Sequence, residues 1–312
     1  MNKAASRADR TLAVLGSGDS FAARAIKDGG GLLTEDPRQA EGLVLDYTSS
    51  PGQLLETLRA SGNVRWVQLP SAGIEAYAES LALRPDVTWT SAKGAYAAPV
   101  AEHALALTLA LLRQLPERVR ARSWGKPAGT SLHGLRAVVV GAGGVGKETV
   151  RLLKAFDTHV TVVRRTAGEV TGADAVATPG ELAGLLPQAD VVILAAALTP
   201  ATRGMIGAGE FLAMKPGAVL VNVGRGGLVD TDALTDALRA GHVGSAALDV
   251  TDPEPLPEGH PLWEEPNCLI TPHSADTMEM IIPLYSRRIS ENVRRFVNGD
   301  ELTGLVDRVA GY

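Results

Sequence analysis

The stretch 138-VVVGAGGVGK-147 runs three valines into a glycine-rich turn and then into residues with helical spacing. β-Branched residues suit a strand, and the spacing Gly141-x-Gly143-x-x-Gly146 suits the turn that follows a strand when the chain must cradle a pyrophosphate. The first glycine permits the tight turn, the second lets the backbone approach the phosphates, and the third lets the helix pack closely on its strand. The helix that follows aims its free amides and positive dipole end at the anion. Val145, Leu152, Leu153 and Phe156 give it an apolar face, and 158-THVTVV-163 supplies the second strand of a βαβ unit. At the end of that strand stand Arg164 and Arg165, where an acid would accept from an NAD ribose. An acid repels a 2′-phosphate and arginine attracts one, so NADP(H) is expected over NAD(H). A second glycine turn, 16-GSGDS-20, lacks the third glycine and reads as an ordinary turn.

This unit begins almost halfway along a chain of 312 residues, a length that suits two domains and hence a cleft. Before it, TLAVL, GLVLD, VRWVQL and VTWT alternate from residue 11 with helical or loop segments, which predicts a first parallel α/β sheet. After it come 190-DVVILAA-196, 218-AVLVNV-223, 245-SAALDV-250 and 268-CLIT-271, apolar runs expected of strands covered on both faces. Between the two series, 99-PVAEHALALTLALLRQL-115 is apolar nearly all round and must be buried in a core or against another subunit. An irregular arm is expected over 116–134, and a last helix over about 277–299 with Ile281, Ile282, Leu284, Tyr285, Ile289, Val293 and Phe296 at helical spacing. That helix has no strand after it, so a return to the first domain is expected.

A net charge of -5 without a basic patch argues against nucleic acid or an anionic membrane as partner. No apolar run is long enough for a span or a signal core, so a soluble cytoplasmic protein is expected. The single cysteine, Cys268, lies in an apolar run and reads as a small core residue, and no metal site is expected.

Three islands fall at or beyond the carboxyl ends of the later strands: 222-NVGRGGLVD-230, 248-LDVTDPEPL-256 and 271-TPHSAD-276. In an open α/β sheet such ends converge on one crevice, which brings Arg225, Asp249, Glu254 and His273 toward a bound nicotinamide. A histidine carries protons near neutral pH, a carboxylate orients it, and an arginine grips a carboxylate with two prongs.

With these motifs in hand, the chain resembles the D-isomer-specific 2-hydroxyacid dehydrogenases, which include glyoxylate/hydroxypyruvate reductases and phosphoglycerate dehydrogenases. The resemblance runs from about residue 64 to the C-terminus and rests on 66-WVQLPSAGIE-75, 100-VAEHALAL-107, GAGGVG, 190-DVVILAAALTPATRG-204, MKPGAVLVNVGRGGLVD, AALDVTDPEPL, 261-PLW-263 and TPHSA. It implies a flavodoxin-like substrate domain formed by both chain ends (1–97 plus 276–312) and an inserted Rossmann domain (98–275) with a dimerisation helix and arm at about 99–134. It also implies a catalytic triad of Arg225, Glu254 and His273, with Asp249 holding the nicotinamide end. Gly144 and Val145 would join the pyrophosphate contacts, Thr199 and Val223 would line the cofactor, and Ser71, Ala72 and Gly73 would offer amides to a substrate carboxylate. The implied activity is hydride transfer between a nicotinamide cofactor and a small 2-keto or 2-hydroxy acid in a homodimer, with His273 as acid and base. Two departures stand out: Ala197 replaces the proline of a PLT sequence, and Arg164 replaces the acidic ribose partner. The rivals are a nucleotide-sensing dimer without turnover, against which the intact Arg, Glu and His speak, and a formate-type dehydrogenase, in which Gln is expected where Glu254 stands.

Overall fold

The computed structural model describes residues 10–17 and 21–308, in two compact units: Met1–Tyr96 with Met278–Tyr312, and Ala97–Thr277. The expectations for residues 1–9, and for Gly18, Asp19 and Ser20 of the first glycine turn, lie outside the described residues.

In chain order the first unit begins with β1 (Thr11–Leu15), α1 (Phe21–Asp28), β2 (Leu32–Leu33), β3 (Gly42–Leu45), α2 (Pro51–Ala60), β4 (Trp66–Gln68), α3 (Ala78–Leu83) and β5 (Thr88–Thr90). The strands pair in parallel in the order β2-β1-β3-β4-β5. β2 is not among the strands expected from the sequence, because it is a two-residue edge strand with both leucines exposed and so has no apolar pattern to betray it.

The second unit contains α4 (Ala97–Leu112), α5 (Leu115–Arg120), β6 (Arg136–Val140), α6 (Gly144–Lys154), β7 (His159–Val163), β8 (Ala175–Ala177), α7 (Leu182–Leu185), β9 (Val191–Leu194), α8 (Ala208–Ala213), β10 (Val219–Asn222), α9 (Thr231–Arg239), β11 (Ser245–Leu248) and β12 (Cys268–Ile270). Its parallel sheet has the order β12-β11-β10-β9-β6-β7-β8. Strands such as VVIL in β9 and VLVN in β10 are buried throughout, and each fully buried Val, Leu or Ile contributes about 1.5–3 kcal/mol. Two local expectations need correction. The arm opens with the short helix α5, which carries Pro116 in its first turn, where proline's missing amide costs nothing. In α6 the buried face is Gly146, Thr149, Val150 and Leu153, while Phe156 falls past the helix end.

The C-terminal helix α10 (Met278–Asn298) belongs to the first unit. Its buried face is Ile281, Tyr285, Ile289, Asn292, Val293 and Phe296, so Ile282 and Leu284 are only partly buried and Asn292 takes a place on the inner face. Asn292 Nδ2 donates to Gln68 Oε1 at 2.8 Å, and Gln68 Oε1 also accepts from Thr90 Oγ1, which in turn accepts from Trp66 Nε1. Tyr285 donates to the carbonyl of Leu45 at 2.8 Å. Buried polar groups are costly unless paired, and here the pairing fastens the chain's last helix to its first sheet.

The register of the second sheet sets up the functional edge. Ala177, Val163, Val140, Leu194, Asn222, Leu248 and Ile270 are paired neighbours across all seven strands. Every strand ends on this line, so Gly141, Arg164, Ala195, Val223, Asp249 and Thr271 are each the first residue beyond it.

Candidate active site

At the centre of that edge the chain turns through Gly141-Ala142-Gly143 into α6. Gly141 has φ +113°, and a Cβ there would lie 2.5 Å from the Ala195 carbonyl oxygen. A Cβ on Gly146 would meet the Gly141 carbonyl oxygen at 1.9 Å, so helix and strand approach as closely as only glycine allows. On Gly143 the same atom would meet nothing within 4 Å. The two outer glycines are therefore required by the protein itself, whereas the middle one leaves open space at the N-terminus of α6, where the first-turn amides of Gly144, Val145 and Gly146 have no intrahelical acceptor. The residues fit a bound pyrophosphate.

Arg164 follows β7 directly and is partly buried, and Arg165 is exposed. The Arg164 guanidinium lies within 3.4–3.5 Å of the carbonyl oxygens of Gly168 and Glu169, at the limit of hydrogen bonding. Thr199 sits in the loop after β9, which Thr202 ties into a turn by accepting from the Thr199 amide and donating to the Ala197 carbonyl at 2.8 Å each. The loop is thus held without the proline that Ala197 replaces. Val223, after β10, is buried.

Arg225 stands two residues further on. Asn222 fixes the turn by accepting from the Gly224 amide and donating to the Arg225 carbonyl. Gly226 has no alternative, because a Cβ there would meet the Thr251 carbonyl oxygen at 1.9 Å.

Glu254 lies on the loop after β11, which is fastened by Thr231 donating to the Asp252 carbonyl and Trp263 Nε1 to that of Pro257. Its Oε1 is 2.6 Å from His273 Nδ1. A carboxylate only accepts, so Nδ1 carries a proton and Nε2 is the nitrogen left for exchange. His273 adopts φ +49°, a left-handed conformation that costs a non-glycine residue about 1–3 kcal/mol. Its amide donates to the carbonyls of Asp249 and Thr271 at 2.9 Å.

Asp249 is the hub of this loop. Only 2% exposed, it accepts from Thr271 Oγ1 at 2.6 Å, the Ser274 amide at 2.9 Å and the Ala275 amide at 3.2 Å, with His103 Nε2 3.3 Å away. Burial alone would raise its pKa, but the hydrogen bonds from His103, Thr271 and the two amides reverse this and hold it at about 2, against an ordinary 3.8. A depressed carboxyl pKa stabilises the folded state above the unfolded value, and the contribution fades as pH falls through the folded one. Asp249→Asn is therefore expected to cost about 2 kcal/mol at pH 7, with the gap to the parent narrowing between about pH 4 and pH 2. Urea unfolding at pH 7 and pH 3 measures it, and an equal gap at both would contradict this account.

Asp276 was not singled out by the sequence reading. Burial raises its carboxyl pKa, and the charges of His273, Asp249 and Arg225 all bear on it, which places each of the three within electrostatic reach of Asp276. His103 and Thr271 were likewise missed, although a lone histidine on an otherwise apolar helix was a signal. Burial, with Glu265 adding, pushes the Cys268 thiol up to about 12, so this cysteine is no nucleophile at neutral pH. Among the described residues no cluster of His, Cys, Asp and Glu could hold a metal ion, and no helix is long and apolar enough to cross a membrane.

In the first unit the loop Ser71-Ala72-Gly73 follows β4. Ser71 Oγ donates to the Gly73 carbonyl, and the Ser71 carbonyl accepts from the Ala92 amide at 2.9 Å.

Residues 105–275 match the model of the D-isomer specific 2-hydroxyacid dehydrogenase NAD-binding domain. The chain belongs to the D-2-hydroxyacid dehydrogenase family. These dehydrogenases act on the CH–OH group of donors and use a nicotinamide cofactor, and the two parallel sheets match their fold. The chain is 38% identical, over 92% of its length and 95% of the other's, to an uncharacterised protein from the proB 3′ region of Corynebacterium melassecola. It is 30% identical to a glyoxylate reductase of Aeropyrum pernix over 88% of this chain and 85% of that one. A D-isomer specific 2-hydroxyacid dehydrogenase from Xanthobacter autotrophicus Py2, solved in complex with NADPH and MES, superposes with a TM-score of 0.84 at 28% identity, covering 98% of this chain and all of that one. The chain spans less than half the length of the D-3-phosphoglycerate dehydrogenases it matches.

Proposed function

We propose that this dehydrogenase reduces small 2-keto acids of the glyoxylate or hydroxypyruvate type, with NADPH as its preferred cofactor. The observation that carries the reading is the His273 Nδ1 to Glu254 Oε1 contact of 2.6 Å, on the same sheet edge as the glycine turn. The glyoxylate reductase of Aeropyrum pernix supports the substrate class. Gly141, Gly143, Gly144, Val145 and Gly146 would hold the cofactor's pyrophosphate, Thr199, Val223 and Asp249 its nicotinamide end, and Arg164 and Arg165 its 2′-phosphate. The cofactor supplies the hydride. Arg225 grips the substrate carboxylate and polarises the carbonyl, and His273 Nε2 delivers a proton to the carbonyl oxygen while Glu254 keeps the ring oriented and stabilises its cation. The Ser71-Ala72-Gly73 loop is read as a substrate-contact loop from its motif. A panel of 2-keto acids with both nicotinamides tests this reading, and no turnover with any of them would leave a nucleotide-binding protein without this chemistry.

The cofactor preference is expected to be at least about tenfold in kcat/KM for NADPH over NADH at low salt. A charge-assisted hydrogen bond to the 2′-phosphate is worth ~1.5–3 kcal/mol, and solvent exposure holds it toward the lower end. The preference shrinks as salt rises, and Arg164→Asp erases or reverses it. Equal use of both cofactors by the unaltered protein would remove this assignment and leave the dehydrogenase standing.

The reading includes a homodimer. Leu105, Leu109 and Ala110 of α4 are only partly covered within the chain, and Leu115, Val119 and Trp124 just beyond are exposed, Trp124 to 96%. Contiguous exposed apolar surface marks an interaction site. Light scattering that reports the mass of a single chain would overturn it.

A further inference from the structure

The active-site loop is held from behind by a residue that the reaction itself does not require. His103 lies on α4, whose inner face is otherwise Val100, Ala101, Ala104, Leu107, Thr108, Leu111 and Leu112. Its Nε2 is 3.1 Å from Thr271 Oγ1 and 3.3 Å from Asp249 Oδ1. The hydrogens of this cluster can be assigned from valence. Asp249 is ionised and only accepts, and Thr271 spends its one hydroxyl hydrogen on Asp249 Oδ1 at 2.6 Å. Both atoms facing Nε2 are thus acceptors toward it, so Nε2 carries a hydrogen and shares it between them. This holds whether the ring is neutral or charged.

We propose that His103 is a positioning residue for His273: its Nε2–H is one of the donors that hold the Asp249 carboxylate and so fixes the loop 271–275 in the conformation that presents the catalytic imidazole. The proposal rests on the catalytic reading of His273 given above. The mechanical link is continuous. Asp249 Oδ1 and Oδ2 hold the amides of Ser274 and Ala275, and the carbonyls of Asp249 and Thr271 hold the amide of His273. A left-handed residue such as His273 persists only where its surroundings over-determine it. The carboxylate that does so is almost wholly buried, so a donor taken from it leaves an ionised group under-satisfied, a cost that loosens the loop around it. A leucine at 103 would match the apolar helix but would leave Thr271 Oγ1 and Asp249 Oδ1 one donor short.

The test compares His103→Ala, His103→Asn and His103→Gln in the full chain. A glutamine amide nitrogen reaches the place of imidazole Nε2, whereas the shorter asparagine does not. Turnover of glyoxylate with NADPH is measured beside hydrogen exchange of the amides of residues 273–275. His103→Ala and His103→Asn are expected to lower kcat about tenfold, the scale of one charge-assisted hydrogen bond, and to speed exchange in the loop by a similar factor. NADPH affinity stays within about threefold, amides of β6 and β9 keep their protection, and His103→Gln restores both readouts to within about threefold. Equal behaviour of the Asn and Gln variants would make His103 a packing residue and overturn the proposal, as would unchanged loop exchange in His103→Ala. Normal turnover in His273→Gln would instead remove the catalytic reading of His273, and the exchange data would still decide whether His103 holds the loop.

Discussion

Replacing His273 by Gln is expected to lower kcat for keto-acid reduction by ~10²-fold or more, because a positioned general acid contributes 10²–10⁴-fold. The expectation follows from the disposition of the two ring nitrogens. Nδ1 is committed to Glu254 Oε1 at 2.6 Å, which leaves Nε2 as the nitrogen that the proposed mechanism uses for proton transfer. Glutamine can place a hydrogen-bond donor near that position but holds no proton to give. Cofactor binding should be little changed, since the glycine turn and α6 are untouched. Glu254→Gln, which removes the carboxylate that receives the Nδ1 hydrogen and orients the ring, is expected to lower kcat as well. Near-normal turnover in His273→Gln would end the proton-carrier role, and near-normal turnover in Glu254→Gln would end the dyad.

That these two side chains meet was legible in the sequence because topology does the work. Both follow strands of one parallel sheet, and the register brings Leu248 and Ile270 into pairing, so the loops after them leave from adjacent points. The glycine turn was legible for a similar reason, since two of its three glycines answer to backbone contacts under 3 Å that no other residue tolerates. The misses have physical causes as well. β2 and β8 are two- and three-residue edge strands whose side chains carry too little apolar periodicity to register. Asn292 was invisible because periodicity ranks residues by apolarity, and it is buried through hydrogen bonds. His103 shows the same limit. Its place on α4 could be read from the sequence, but the partners that give it meaning, Asp249 and Thr271, are set by tertiary packing far along the chain.

Arg225→Lys is expected to lower kcat/KM for the keto acid by ~10²-fold although the charge is kept. A guanidinium offers a rigid planar fork that matches a carboxylate, whereas an ammonium is a hydrated point charge on a flexible stem. Losing one preorganised donor at a reacting carbonyl costs about 10²–10³-fold in rate, and in the proposed mechanism the same group also anchors the substrate. The backbone around Arg225 is built to hold the fork still: Asn222 caps the turn from both sides, and Arg225 Nη1 donates to the Gly224 carbonyl at 2.8 Å, which fixes the guanidinium plane from behind. A lysine inherits the backbone geometry but not that back-bond. Both kcat and KM should therefore suffer, kcat through the unpolarised carbonyl and KM through the loosened carboxylate, while the unfolding midpoint stays near that of the parent. An unreactive dicarboxylate such as oxalate should lose affinity in parallel with the rise in KM. If kcat and KM both remain within about twofold of the parent, the carboxylate is held elsewhere and Arg225 has no anchoring role.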